Sequence, residues 1–191
     1  MGIDYIISST FANLHQCEFI NKILHFISEL GDNGYLFLIV ALFILPFKKF
    51  RKLGIGLLLC ALLVLLVNNL FLKKVISRDR PFVTYPELLP FVIGEPPTSL
   101  SVPSGHTAVT FAYATYLWCY KKKHVRLATA ATVFAVLVGF SRIYLIHHYF
   151  TDVMGGIAVG IVCGVGAFFL APLVEKSLIK IKLIEPNECV K

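Results

Sequence analysis

The sequence predicts an all-α protein, a polytopic bundle of about five membrane-spanning helices preceded by an amphipathic helix on the membrane surface. Of the 191 residues, 57% are hydrophobic and 15% are charged, whereas ordinary soluble domains contain about 45–50% and about 25% of these classes. Several apolar runs also approach or exceed the length of about 20 residues that a helix needs to cross a bilayer. The composition therefore excludes an ordinary soluble domain.

Five apolar segments account for the predicted spans. The second, fourth and fifth are long enough alone, and the other two need a few flanking residues. In chain order the segments are residues 34–47, 54–72, 107–120, 127–146 and 153–174. Short connections join most of them, so we expect one membrane domain over residues 31–174.

Residues 1–30 differ from the spans because charged side chains interrupt the apolar pattern. Apolar residues recur there at roughly helical spacing, but Asp4, Glu18, Lys22 and Glu29 lie among them. A helix with this pattern lies in the membrane interface instead of crossing the bilayer. We therefore expect a surface helix ahead of the membrane domain.

The net charge of +7 is concentrated on one side of the predicted bundle. Twelve of the 18 basic residues lie in two links and the tail, namely Lys48, Lys49, Arg51, Lys52, Lys121, Lys122, Lys123, Arg126, Lys176, Lys180, Lys182 and Lys191. Cytoplasmic segments carry such an excess, so we expect the tail at residues 175–191 to be cytoplasmic and the opposite side to face outward from the plasma membrane. Membrane lipids then explain the charge, and nucleic acid is not expected as a partner.

Three polar clusters break the apolar pattern, and all three fall at span ends on the predicted outward side. The first contains Lys73, Lys74, Arg78 and Arg80, followed by Pro81. The positive-inside bias should deplete cations on this side, whereas a phosphate site would use them, because arginine and lysine both bind phosphate oxygens. The alternative is a basic helix end whose side chains reach the membrane surface.

The second cluster is Pro103, Ser104, Gly105 and His106, directly before the third span. Serine and proline are typical of helix starts, where free backbone amides and the positive end of the helix dipole attract anions. His106 adds a side chain that exchanges protons near neutral pH. The alternative is an ordinary capped helix start with an incidental histidine.

The third cluster contains Ser141 and Arg142 in the fourth span, followed by His148 and Asp152. An arginine in a membrane span is costly and normally faces a polar cavity. Asp152 follows His148 by four residues, so in a helical turn its carboxylate would orient the imidazole for attack. Composition does not distinguish His147 from His148, but the spacing favours His148. The alternative is a structural pair that caps the last helix.

Two further patterns concern the shape of the domain. Residues 75–102 contain five prolines and a glycine, which exclude a regular helix. The part at residues 82–102 is a candidate lid or substrate-access element, and the alternative is a passive connection. In the last span Gly156, Gly160 and Gly164 recur every fourth residue, a pattern that lets two helix backbones approach closely.

The three clusters read KKVISRDRP, PSGH and SRIYLIHHYFTD, and together they resemble the three signature motifs of the type 2 phosphatidic acid phosphatase (PAP2) family. All eleven motif positions match in order and spacing. Two features depart from the family. Val102 stands where many relatives have an aromatic residue, and Arg78 and Asp79 occupy variable positions and are left out of the predicted site. The resemblance covers roughly residues 30–174 and implies a six-helix core with a phosphate pocket at the outer membrane face.

The resemblance also implies the role of each motif residue. His148 would attack phosphorus and form a phosphohistidine, Asp152 would orient it, and His106 would protonate the leaving oxygen. The phosphoryl oxygens would be bound by Lys73, Arg80, Ser104, Gly105 and Arg142. The motifs contain no carboxylate cluster of the kind that magnesium prefers, so we expect no cofactor and no metal.

The resemblance to small bacterial diphosphatases of about this length makes undecaprenyl diphosphate the first choice of substrate, in cell wall biogenesis. Phosphatidic acid, phosphatidylglycerol phosphate and lipid A phosphates are the alternatives, because motif chemistry recognises the phosphate and not the lipid. Two readings from other classes are a vanadate-dependent haloperoxidase, against which the spans argue, and a non-catalytic protein that binds or transports lipid phosphates.

Overall fold

The computed structural model describes residues 2–14, 17–31, 34–120 and 125–181, and within these ranges it contains helices and no strand. The predicted basic residues at positions 121–123, 182 and 191 lie outside the described ranges. The α-helices, in chain order, are α1 Ile3–Leu14, α2 Glu18–Leu30, α3 Tyr35–Ile44, α4 Arg51–Val64, α5 Lys73–Ile76, α6 Pro81–Thr84, α7 Gly105–Tyr120, α8 Val125–Tyr144 and α9 Phe150–Lys180. The predicted all-α class is therefore confirmed.

The N-terminal segment forms two helices, where the sequence predicts one surface helix. The backbone at Cys17 is extended, which separates α1 from α2. Both helices pack against α8. Phe11 of α1 lies edge-on to Phe140 and Tyr144 of α8, and Leu24 of α2 is buried beside Tyr144. The segment is therefore attached to the bundle and reaches its polar end.

Helix α4 continues almost without a break into the first polar cluster. It passes into a π-helical segment, Leu65–Leu72, and then into α5. The side-chain amide of the buried Asn68 in the π segment donates to the Pro103 carbonyl over 3.3 Å. Single π turns inside α-helices are frequent at functional sites, and this one ties α4 to the start of α7.

Helices α7 and α9 form the centre of the bundle, where glycines allow a close approach. A Cβ atom on Gly156, Gly160 or Gly164 would lie only 2.5–2.7 Å from the carbonyl oxygens of Ser104, Ala108 and Ala112 respectively. The predicted close contact between two helix backbones is thus confirmed, and the partner of the glycine face is α7. Helix α4 completes the core with Cys60 and Val64.

Three helical stretches are long and apolar enough to cross a membrane, namely Lys48–Thr84, Val125–Tyr144 and Phe150–Lys180, and the bent pair α2 and α3 would make a fourth. Helix α7 has 16 residues and is largely buried among its neighbours. Large apolar side chains such as Phe43, Phe71, Val162 and Phe169 point outward, as in a protein surrounded by lipid. The count of five spans stays a prediction.

Helix α9 extends to Lys180, so the segment predicted as a tail from residue 175 begins as a continuation of the last helix. The long connection between α5 and α7 is irregular, as its prolines predict. It contains only the short helix α6 and a 3₁₀ turn, Pro86–Phe91.

Candidate active site

The three polar clusters meet at one end of the bundle, because α5 ends there, α7 begins there and the link between α8 and α9 lies there. They border a cavity of about 1320 Å³. Six predicted site residues line it, namely Lys73, Arg80, Gly105, His106, Arg142 and His148. Residues separated by up to 75 positions in the chain therefore share one chamber.

The short link between α8 and α9 fixes His148 beside Asp152. The backbone amides of His147 and His148 both donate to the carbonyl of Arg142, each over 3.1 Å, which folds the link tightly. His148 Nδ1 lies 3.6 Å from Asp152 Oδ2, longer than a hydrogen bond. Catalytic hydrogen bonds often shorten when substrate binds, so this distance is compatible with a carboxylate that orients the imidazole.

Asp152 also has a structural role. Its Oδ2 accepts the backbone amide of Tyr149 over 2.9 Å, which caps the first turn of α9, and the Ser101 hydroxyl. Its backbone carbonyl accepts the amide of Ser104 over 3.0 Å. The same carboxylate therefore caps α9, as the alternative interpretation predicts, and faces His148.

Arg80 is buried and held on three sides. Its Nε donates to the Ser99 carbonyl over 2.6 Å and its Nη2 to Ser99 Oγ over 2.9 Å. Its Nη1 donates to the His147 carbonyl over 2.6 Å and lies 3.4 Å from His148 Nε2. When Nδ1 of His148 carries the proton towards Asp152, the lone pair on Nε2 faces Arg80 and the cavity.

The other two predicted cations approach the cavity from different helices. Lys73 Nζ lies 3.4 Å from Ser99 Oγ, so Lys73 and Arg80 share one hydroxyl. Arg142 is buried, and its Nη1 donates to Ser28 Oγ of α2 over 2.6 Å. The positive charge of the cavity is therefore distributed around the imidazole of His148.

Some residues of the PSGH segment line the cavity, and others are buried in the core. Gly105 and His106 form the first turn of α7 and line the cavity, where the first amides of a helix have no partner within the helix. Ser104 is fully buried and accepts the Thr107 hydroxyl over 3.0 Å. In this structure Ser104 therefore contacts α7 and α9 and does not line the cavity.

The two adjacent histidines have different surroundings. His147 Nε2 lies 3.0 Å from the Ile93 carbonyl, so its side chain contacts the long connection between α5 and α7. Burial, with the nearby charges of Arg142 and Arg80, lowers the pKa of His147 to about 2. Burial and the charges of Arg80 and Arg142 likewise hold the pKa of His148 well below its ordinary value. Both imidazoles are thus neutral at pH 7, and a neutral imidazole is the form that can attack.

The long connection lies over the cavity. Gly94 packs against His25 of α2, the Ile93 carbonyl lies beside His147, and Ser99 contacts both Lys73 and Arg80. Residues 94–99 line the cavity. The motion of residues 82–102 as a lid stays a prediction.

Sequence reasoning missed several residues that contact this site, and it left Arg78 outside the predicted site. Arg78 Nη1 donates to Asp152 Oδ1 over 2.7 Å, because the turn after α5 points its side chain back towards α9. Ser101, which contacts Asp152, and Asp4, which contacts Arg78 over 2.7 Å, were also missed. Asn69 lines the cavity as well, beside Gly105. The arginine in the first cluster and the asparagine inside the apolar second span were available signals, whereas a serine in a loop and an aspartate in an amphipathic helix carry none.

A neutral imidazole backed by a carboxylate, surrounded by cations and a helix N-terminus, suits the transfer of a phosphoryl group. In a bundle of apolar helices this site defines an integral-membrane phosphatase. Residues 35–174 match the model of the PAP2 superfamily, and the chain belongs to this family.

Relatives in this family carry related names. The chain is 31% identical over 149 residues to an undecaprenyl-diphosphatase of Sulfolobus acidocaldarius, covering 78% of this chain and 69% of the relative. It is 33% identical over 153 residues to phosphatidylglycerophosphatase B of Bacillus subtilis, covering 74% and 70%. Its fold is similar to the crystal structure of a transmembrane PAP2-type phosphatidylglycerolphosphate phosphatase from Bacillus subtilis, with a TM-score of 0.68 at 28% identity over 92% of this chain and 85% of the other.

Proposed function

We propose that this protein removes a phosphate from a lipid phosphate or diphosphate, and that undecaprenyl diphosphate, hydrolysed to undecaprenyl phosphate, is the substrate. The observation that carries the proposal is the cavity, because it joins the polar cluster around His148 to an apolar wall. Leu38, Leu58, Leu62 and Leu65 line the same chamber as Lys73, Arg80 and Arg142. A soluble phosphate ester has no use for such a wall, whereas a lipid tail would pack against it.

In the proposed reaction, Nε2 of His148 attacks phosphorus. The new nitrogen–phosphorus bond forms as the bond between the terminal phosphorus and the bridging oxygen of the diphosphate breaks. Undecaprenyl phosphate is the leaving group, and the imidazole gains positive charge. Asp152 faces the other ring nitrogen over 3.6 Å and stabilises that charge. Covalent catalysis of this kind divides one difficult displacement into two easier steps.

Cations and the α7 N-terminus stabilise the charge on the transferred group. Arg80 lies 3.4 Å from His148 Nε2, so a phosphorus atom bonded to that nitrogen would place its oxygens within reach of the guanidinium. Lys73, Arg142 and the amide of Gly105 border the same space. His106 would protonate the departing bridging oxygen and then take a proton from the water that attacks the phosphohistidine and releases phosphate.

The reaction needs no metal in this proposal. Lys73, Arg80 and Arg142 line the same cavity as His148 and the first turn of α7, and these groups supply the positive charge that a divalent ion provides in other phosphatases. Magnesium is normally held by carboxylates, and the one beside His148, Asp152, is already bonded to Arg78, Ser101 and the Tyr149 amide.

The choice of lipid draws support from the relatives, which are named for undecaprenyl diphosphate in one case and for phosphatidylglycerophosphate in another. The cavity volume of about 1320 Å³ accommodates a diphosphate with the first part of a tail. Phosphatidic acid, phosphatidylglycerol phosphate and lipid A phosphates are therefore tested beside undecaprenyl diphosphate.

The test is release of inorganic phosphate from these lipids in detergent with EDTA, using wild type, His148→Gln and the matched variant His147→Gln. We expect release by wild type in EDTA, a loss of at least about 1000-fold in His148→Gln and retention of most activity in His147→Gln, since glutamine keeps a donor for the Ile93 carbonyl. Release from another lipid alone would replace the substrate. Binding without release from any lipid would favour a non-catalytic carrier, and recovery by magnesium after EDTA would overturn metal independence.

The site is proposed to face outward, with the tail in the cytoplasm. Lys49 precedes α4 and Lys73 follows its π-helical extension, so about 24 helical residues, or roughly 36 Å, separate the basic end from the site. Basic residues favour the cytoplasmic side. In a Cys17→Ser background, an impermeant thiol reagent should label Thr98→Cys in intact cells and should not label Lys49→Cys. The reverse pattern would overturn this orientation.

A further inference from the structure

A chain of charged contacts runs from the N-terminal helix to the imidazole of the active site. Asp4 of α1 accepts Arg78 Nη2 over 2.7 Å, and Arg78 Nη1 donates to Asp152 Oδ1 over 2.7 Å. The other oxygen of Asp152 faces His148 Nδ1. These contacts connect the N-terminal helix α1, the turn after α5 and the start of α9, which are far apart in sequence.

The guanidinium of Arg78 is fixed from several directions. Besides the two carboxylates, its Nη1 donates to Thr151 Oγ1 over 2.7 Å, and its central carbon lies 3.9 Å from the centre of the Tyr149 ring. The backbone carbonyl of Arg78 accepts the amide of Ser101 over 2.8 Å. A side chain that is 32% exposed would sample several rotamers without such contacts.

Asp4 is itself anchored to α9. Its Oδ1 accepts the backbone amide of Thr151 over 3.2 Å and its Oδ2 accepts the Thr151 hydroxyl over 2.6 Å. Burial raises the pKa of Asp4, but the hydrogen bonds from Thr151 and Arg78 outweigh burial and leave that pKa below its ordinary value. The carboxylate is therefore ionised at neutral pH and holds both the first turn of α9 and the guanidinium.

We infer that Asp4 and Arg78 are positioning residues for the His148–Asp152 pair, so that helix α1 belongs to the catalytic apparatus. The inference rests on the proposed function. Residue 4 lies outside the family match, which begins at residue 35, and Arg78 occupies a variable position of the first motif. Neither residue lines the cavity. Both therefore act through Asp152 and not by contact with substrate.

The physical reason is the orientation of the Asp152 carboxylate. Its Oδ2 must face the imidazole while positive charge develops there, and a carboxylate rotates about its last torsion unless both oxygens are held. Arg78 holds Oδ1, whereas Ser101 and the Tyr149 amide hold Oδ2. Asp4 keeps Arg78 in the rotamer that makes this bond. Loss of Asp4 should therefore lower kcat and leave substrate binding nearly unchanged.

The pH profile provides a second readout. The charged and titratable groups around Asp152 are Arg78 and His148 in direct contact, Tyr149 of the neighbouring link, Asp4 behind Arg78, and Lys73 and Arg80 across the imidazole. A carboxylate whose guanidinium partner is displaced takes up a proton at higher pH. In Asp4→Asn, the acidic limb of kcat should therefore move to higher pH.

The experiment is a double-mutant cycle on phosphate release by the full chain, with Asp4→Asn, Arg78→Ala and the double variant. The matched control is Asp79→Asn, which removes the same charge from an exposed neighbour of Arg78. We expect kcat to fall about tenfold in Asp4→Asn, with KM changed less than twofold, and Asp79→Asn to match wild type. In the Arg78→Ala background Asp4→Asn should have little further effect, because the two residues act in series.

Three outcomes decide the inference. Unchanged kcat in Asp4→Asn overturns it while the proposed function stands. Fully additive losses overturn it too, because they would show that Asp4 stabilises the fold through Thr151 and not the pair through Arg78. Thermal unfolding and partial rescue by Asp4→Glu separate lost positioning from lost folding. If wild type releases no phosphate from any lipid tested, the proposed function and this inference fall together.

Discussion

The contact between α7 and α9 contains two regions built on different principles. Along most of its length, backbone meets backbone, because Gly160 and Gly164 leave no side chain between α9 and the carbonyls of Ala108 and Ala112. At its polar end the same two helices are joined through hydrogen bonds around Asp152, and the partners come from several other parts of the chain.

The difference shows how this protein combines a fixed frame with a precise site. The glycine region sets the distance between two helices by volume alone, so any added atom disturbs it. The polar region depends on the direction of each donor and acceptor, so a side chain of equal charge but different shape disturbs it. Substitutions at the polar end should therefore reduce activity, whereas those in the glycine region should reduce stability.

Among the substitutions that test this comparison, the largest effect is expected at Arg80. Arg80→Lys keeps the charge but loses the planar fork that contacts Ser99 and His147. Phosphate release should fall about 100-fold, equivalent to about 2.7 kcal/mol in the transition state. The matched control is Arg126→Lys at the exposed start of α8, which should keep wild-type activity. Equal activity of the two variants would show that charge alone is sufficient at the polar end.

The glycine region is tested by Gly160→Ala. The added Cβ would lie 2.5 Å from the Ala108 carbonyl oxygen, so the helices must separate, at a cost of about 2 kcal/mol. Gly166→Ala in the same helix is the control, because its Cβ would meet only the end of the Leu63 side chain at 3.5 Å. The melting temperature in detergent should fall in the first variant and not in the second. Equal melting temperatures would contradict the proposed tight contact.

Low pH should destabilise the polar end. The pKa of His147 is lowered to about 2 by burial and by Arg142 and Arg80, whereas an unfolded histidine takes up a proton below about pH 6.5. The unfolded state therefore binds more protons between pH 7 and pH 5, and stability falls by about 2 kcal/mol for this group. His147→Gln should show a smaller loss of melting temperature over that range. An identical loss in both proteins would exclude this histidine as the cause.

The smallest effect is expected at Ser101. Ser101→Ala removes the hydroxyl that donates to Asp152 Oδ2 and lies 3.5 Å from His148 Nδ1. Asp152 Oδ2 keeps its hydrogen bond from the Tyr149 amide, and Oδ1 keeps the one from Arg78. We therefore expect kcat to fall about tenfold, equivalent to about 1.4 kcal/mol. Ser177→Ala, on the exposed part of α9 far from the site, serves as control. A rise in KM with unchanged kcat would assign Ser101 to substrate binding instead.

Motif spacing predicted much of the site, because the helices impose it. His148 and Asp152 are four residues apart, and the turn that begins α9 places them side by side as expected. The choice of His148 over His147 agrees with the geometry, since only His148 faces Asp152. Ser104 shows the opposite case. Its position in the motif predicts a phosphate ligand, but in the structure its side chain is buried against Thr107, and its contact with phosphate stays a prediction.

The sequence by itself determined the helical class, the membrane location and the three polar clusters, because hydrophobicity and helical period are local properties that neighbouring residues reveal. Only the tertiary structure decided that Asp4, Ser28, Arg78 and Ser101 reach the site and that α7 is the partner of the glycine face. These contacts join residues separated by up to 147 positions, as between Asp4 and Thr151. Their geometry depends on how helices pack and where the chain turns, and no local pattern encodes either.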